Sequence, residues 1–207
     1  MKNEKYINDL NEIKEMMNRS SRFVSLSGLS GILAGVYALI GASFAYAILY
    51  ENTSITSDYK NLIISQSNAI KLVAIAFTVL VLSIVTGFVF SVSKAKKQNE
   101  SVWNMASKRL LVNFLIPLAT GGFFILFIIE KEFLVLVVPS TLLFYGLACL
   151  NASKYTLGYI RYLGLSMIIL GLLSTWFLGY GLLFWALGFG GCHILYGSLM
   201  YFKYDRK

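Results

Sequence analysis

Acidic side chains are scarce in this sequence. Ten Asp and Glu stand against eighteen Lys and Arg in 207 residues, and none of the ten falls inside a long apolar block. There is one histidine, with two cysteines and two prolines. Proton-coupled transport, ion pumping and metal-dependent hydrolysis need carboxylates, histidine pairs or runs such as H-E-x-x-H at membrane depth, and none can be assembled here. The cysteines, Cys149 and Cys192, both sit in apolar blocks, which leaves no external disulfide framework and suits them to small packing roles. Cys192 and His193 are adjacent and would point about 100° apart on a helix, a poor start for holding a metal. No catalytic, cofactor-binding or metal-ligating residue is therefore expected, and the chain is read as no enzyme.

What is abundant is apolar surface. Hydrophobic residues make up 57% of the chain, aromatics 15% and charges only 14%, with a mean hydropathy of +0.68. A soluble core does not need so much. The apolar residues gather in blocks long enough, at about 1.5 Å per residue, to cross a hydrocarbon layer of roughly 30 Å. Backbone amides in lipid must be satisfied within the segment, and the blocks lack period-two alternation, so they read as helices rather than barrel strands. The expected fold is all-α, a polytopic transmembrane bundle of six spans, at about 23–50, 70–92, 110–129, 133–150, 159–178 and 180–202. Gly179-Tyr180-Gly181 divides the last long run, which as one helix would outrun any bilayer. Residues 1–22 carry Ile7, Leu10, Ile13 and Met17 on one face, the pattern of a short amphipathic helix, and 203–207 form a tail.

Orientation follows from charge. With the N-terminus inside, fifteen of the eighteen Lys and Arg fall on the cytoplasmic side and only Lys60, Lys71 and Lys131 on the other, which predicts both termini in the cytoplasm. Tyrosines and tryptophans gather near the span ends, as interfacial belts place them. The net charge of +8 is thus accounted for by membrane orientation, and nucleic acid is not an expected partner.

Within the spans a few residues stand out as packing or pathway candidates. His193 is the one titratable group at membrane depth apart from cations close enough to span ends to snorkel. Ser27, Gly31 and Gly35 repeat at i+4, and Gly188, Gly190, Gly191 and Gly197 crowd the last span, patterns that let helices approach closely. Pro117 follows Asn113 by four residues, removes one backbone hydrogen bond and predicts a kink. Asn113, Thr120, Ser140, Thr141, Ser166 and Ser174 could line a weakly polar path or bond to neighbouring helices.

Around Ser20-Ser21-Arg22-Phe23-Val24-Ser25-Leu26-Ser27-Gly28-Leu29-Ser30-Gly31, and again at Tyr145-Gly146-Leu147-Ala148-Cys149-Leu150-Asn151-Ala152-Ser153-Lys154-Tyr155, the chain resembles a family of uncharacterised bacterial membrane proteins. That resemblance implies six spans in the bacterial inner membrane and brings no activity with it. The hairpin from Gly164 to Tyr201 also resembles the hairpin repeat of HdeD-type acid-stress membrane proteins, which points toward envelope physiology.

The functional expectation is association: contact with the bilayer, and a second copy or a protein partner engaged through 1–22 and the basic second loop. The alternative is a facilitator for a small neutral solute. A fluorescent protein that matures only in the cytoplasm, fused after Lys207, is expected to be bright, and the same fusion placed after Glu132 dark; the reverse pattern would invert the topology.

Overall fold

The computed structural model describes residues 26–50, 66–97, 101–156 and 158–206. Six helices long and apolar enough to cross a membrane account for nearly all of them. They are α1 (Gly28–Tyr50), α2 (Gln66–Lys97), α3 (Met105–Glu130), α4 (Val137–Ala152), α5 (Tyr159–Trp176) and α6 (Leu178–Asp205). The protein is a multi-pass integral membrane protein with an all-α bundle. The amphipathic helix expected at 1–22 lies outside the described residues.

Each boundary has a local cause. Asn104 starts α3 five residues earlier than hydropathy alone suggests: its side chain accepts from the Ser107 amide at 2.8 Å while the Ser107 hydroxyl accepts from the Asn104 amide at 3.0 Å. That reciprocal cap satisfies two amides that would otherwise be orphaned. At the other end, Glu132 takes a left-handed backbone conformation, φ 63°, and the chain reverses within a few residues into α4. The short connection left between the expected spans 110–129 and 133–150 is therefore a tight turn at Glu130-Lys131-Glu132. The helix α2 continues to Lys97, beyond the expected 92, with Lys94, Lys96 and Lys97 in its last turn, where cations meet the negative helix end. The last helix likewise runs past the expected 202, staying helical to Asp205 through a π-helical segment, Tyr201–Asp205.

In space the order is α2, α1, α6, then α4 with α5, then α3. Helices from the two ends of the sequence thus meet in the middle of the bundle. In lipid there is no hydrophobic drive to bring helices together, so contact depends on close packing and on hydrogen bonds. The α1–α6 contact shows the first: a Cβ on Gly197 would stand 2.6 Å from the Ile32 amide nitrogen, and one on Gly35 would stand 2.7 Å from the Gly190 carbonyl oxygen. The α4–α5 contact repeats it where Gly146 and Gly164 cross, each with the other's carbonyl 2.8 Å from where its Cβ would be. Leu142, Cys149, Leu163 and Met167 fill the centre between α4, α5 and α6.

Gly191 is a correction to the glycine pattern: a Cβ there meets nothing within 4 Å, so it belongs to no helix contact. Gly31 and Gly35 do pack, both against α6. The outer helices contrast with the centre, since the most apolar stretch of α2 buries none of its residues and that of α3 buries 11%. Gly197→Leu is expected to abolish the folded state in mild detergent, and Gly191→Leu to leave thermal stability within about 1 kcal/mol of wild type. Equal loss in both variants would contradict the packing described.

Candidate functional site

Three polar constellations sit on this frame, and each joins helices distant in sequence. The first lies at the end of the bundle where Lys94, Lys108, Arg109, Lys154, Arg161 and Lys203 collect. Here the first amides of α1 have no acceptor within the helix and need one from elsewhere. Asp205, carried round by the π-helical end of α6, supplies it. One carboxylate oxygen accepts from the Gly28 amide at 2.8 Å and from the Ser27 hydroxyl at 3.1 Å. The other accepts from the Lys94 ammonium at 2.7 Å, and Lys94 also donates to the Leu26 carbonyl at 2.9 Å. The two charged side chains are 12% and 9% exposed, so the pair is sheltered enough for geometry to matter. A carboxylate at a helix N-terminus also meets the positive end of the α1 dipole. This clasp ties α1, α2 and α6 together.

The second constellation repairs a defect. Pro117 has no amide to give to the carbonyl four residues before it, which is that of Asn113. Asn151 of α4 gives its side-chain amide to that same carbonyl at 2.9 Å. The Asn113 side chain meanwhile donates to the Arg109 carbonyl at 2.8 Å. The helix α3 runs through Pro117 without interruption from Met105 to Glu130. Sequence reading placed Asn113 and Pro117 together but assigned Asn151 to a loop; α4 extends through Ala152 and makes it the partner.

The third surrounds His193 near the middle of α6. Ala186–Cys192 is π-helical, a wide turn that the run Gly188-Phe189-Gly190-Gly191 accommodates. His193 lies just after it, buried, with Nδ1 3.1 Å from the Gly188 carbonyl and Nε2 2.7 Å from the Tyr145 hydroxyl of α4. A carbonyl only accepts, so Nδ1 carries the proton and Nε2 accepts from Tyr145. Phe189 stacks on the imidazole at 5.8 Å, and Phe114 meets Tyr145 edge-on at 5.9 Å. Both ring nitrogens are thus occupied, and the aromatic shell seals the pair.

The remaining polar candidates turn inward on their own helices or pair across a contact. Thr120 donates to the Ile116 carbonyl, Thr141 to that of Val138, and Ser166 pairs with the Tyr196 hydroxyl at 3.1 Å. Ser140 is buried, while Thr120 is exposed on the surface of α3. Ser174 is fully buried with no partner for its hydroxyl. With Thr120 exposed and Ser140 and Ser174 buried, these five do not share one wall with each other or with Asn113. Among the described residues no group of three or more His, Cys, Asp or Glu is placed to hold a metal.

Asp205, Tyr145 and Asn151 escaped the sequence reading. Asp205 had a signal: it is the first acidic residue after Glu132, in a stretch otherwise full of cations and apolar residues. The chain matches no protein-family model, no curated protein and no solved structure.

Asp205→Ala is expected to cost about 3 kcal/mol of folding stability, because Lys94, the Gly28 amide and the Ser27 hydroxyl lose their acceptor together. Lys94→Met should cost less, about 1–2 kcal/mol, since Asp205 keeps Ser27 and Gly28, and the double variant should fall short of the sum. Denaturant titration in detergent checks both. In the same assay Asn151→Leu should destabilise the wild-type chain, and the loss should shrink in a Pro117→Ala background, where residue 117 regains an amide for the Asn113 carbonyl.

Proposed function

We propose that the protein is a non-catalytic component of the bacterial cytoplasmic membrane, with both termini inside, that acts by association with lipid or protein at its basic end. The observation that carries this reading is the state of the cations there. Among the described residues at that end only Lys94 has an acidic partner; Lys96, Lys97, Lys108, Arg109, Lys154 and Arg161 have none. Such a surface suits anionic headgroups or an acidic protein face. The clasp adds to this: it holds Leu26, Ser27 and Gly28 against the ends of α2 and α6, at the same end as these cations.

A catalytic role draws no support from His193, whose two nitrogens are committed to Gly188 and Tyr145 in a sealed aromatic shell. Passage of a solute draws little from the polar candidates, which face different surroundings and are largely bonded to their own helices. A second copy of the chain is compatible with the same surface, and α2 leaves a long apolar face free for it or for lipid.

The test is to tag the C-terminus, extract the protein from its native membrane in mild detergent and identify what remains bound. The expected result is a specific protein or anionic lipid in stoichiometric amount, reduced when residues 1–18 are deleted. A clean protein without either, together with solute flux in liposomes, would overturn the reading in favour of a facilitator.

A further inference from the structure

The α4–α5 connection forms a shallow groove of about 400 Å³, lined by Leu150, Ser153, Lys154, Gly158 and Arg161. It joins the ends of two candidate spans, Leu134–Tyr155 and Tyr159–Trp176, and a bilayer that takes up those spans would bring its phosphates to this level. Lys154 and Arg161 are both exposed, and neither side chain has a hydrogen-bond or ion-pair partner among the described residues. No acidic residue occurs between Glu132 and Asp205, and Asp205 is taken by Lys94. The first turn of α5 adds no acid and no side-chain cap to compete for its amides. Two uncompensated cations at a concave site of headgroup depth call for an anion, and Arg161 can hold a phosphate through two parallel N–H bonds.

Apolar surface continues from the groove toward the bilayer centre. Leu147 of α4 and Leu165 of α5, one turn deeper on each helix, are exposed at 43% and 39%. A free phosphate has no use for that surface, whereas an acyl chain does. We infer that the groove between α4 and α5 is a binding site for the phosphate headgroup of an anionic phospholipid, held by Lys154 and Arg161 with its acyl chains along Leu147 and Leu165. This deepens the association reading above and rests on it, by naming one ligand class and one site. Tyr159 beside the groove accepts from Lys203 of α6 at 3.2 Å, so that cation is already engaged while the two groove cations are not.

The experiment uses the full chain in mild detergent. Phosphatidylglycerol and phosphatidylcholine with identical acyl chains are titrated separately, and bound lipid is counted by native mass spectrometry. The expected result is a preference for phosphatidylglycerol of about tenfold, removed in Lys154→Gln/Arg161→Gln and kept in Lys96→Gln/Lys97→Gln. Arg161→Lys alone should keep most of it, which separates charge from loss of folding. Equal retention in the groove variant and wild type would overturn the site, even if residues 1–18 still captured a partner. Complete displacement of the lipid by millimolar inorganic phosphate would also overturn it, by making the ligand a free anion.

Discussion

Two helices can touch backbone to backbone only where neither places a Cβ at the crossing, and in lipid that closeness is a large part of what holds them. Here the constraint falls on α1 and α6, the first and last spans. Gly28, Gly31 and Gly35 on one side meet Gly190 and Gly197 on the other along several turns. Everything else is arranged around this seam. It sets α2 on one flank of α1, and it presents the free side of α6 to α4 and α5.

Close approach alone does not choose a register, and polar pairing does that work. Asp205 reaches the Gly28 amide and the Ser27 hydroxyl only if the seam is aligned at its basic end, where Lys94 then closes the charge. Tyr145 reaches His193 only if α4 and α6 are aligned in the middle, and Asn151 reaches the Asn113 carbonyl only if α3 lies correctly on α4. Each pairing answers a backbone or side-chain group that would otherwise be unsatisfied where water is scarce. The three pairings together hold five of the six spans; α5 is held chiefly by the Gly146–Gly164 crossing and the core around Met167.

The six spans and the glycine surface of α1 were legible from residues alone, because apolar block length and i+4 spacing are local patterns. Ends were less legible. Asn104 and Ser107 advance the start of α3 through a capping exchange that hydropathy does not register, and α6 keeps its helix past Phe202 in a polar stretch. The glycines of α6 were read as one set, yet the π-helical turn changes which of them face a neighbour and leaves Gly191 pointing into open space. Partners were least legible. A carbonyl freed by Pro117 is predictable, but that Asn151 fills it depends on the α3–α4 hairpin, and Asp205 acquires its role only once the first and last helices are known to meet.

The central claim is therefore that α1 lies directly against α6, and cysteine cross-linking in native membranes tests it most directly. The Cγ of Leu39 lies 2.6 Å from where a Gly190 Cβ would stand, which puts the Cβ atoms of a Leu39→Cys/Gly190→Cys pair within disulfide reach, roughly 3.5–4.5 Å. With Cys149 and Cys192 replaced by alanine, mild oxidation should yield an intramolecular disulfide in this pair and none in Leu39→Cys/Gly87→Cys. Efficient cross-linking in the second pair, or none in the first while both variants remain inserted, would contradict the placement of α1 on α6.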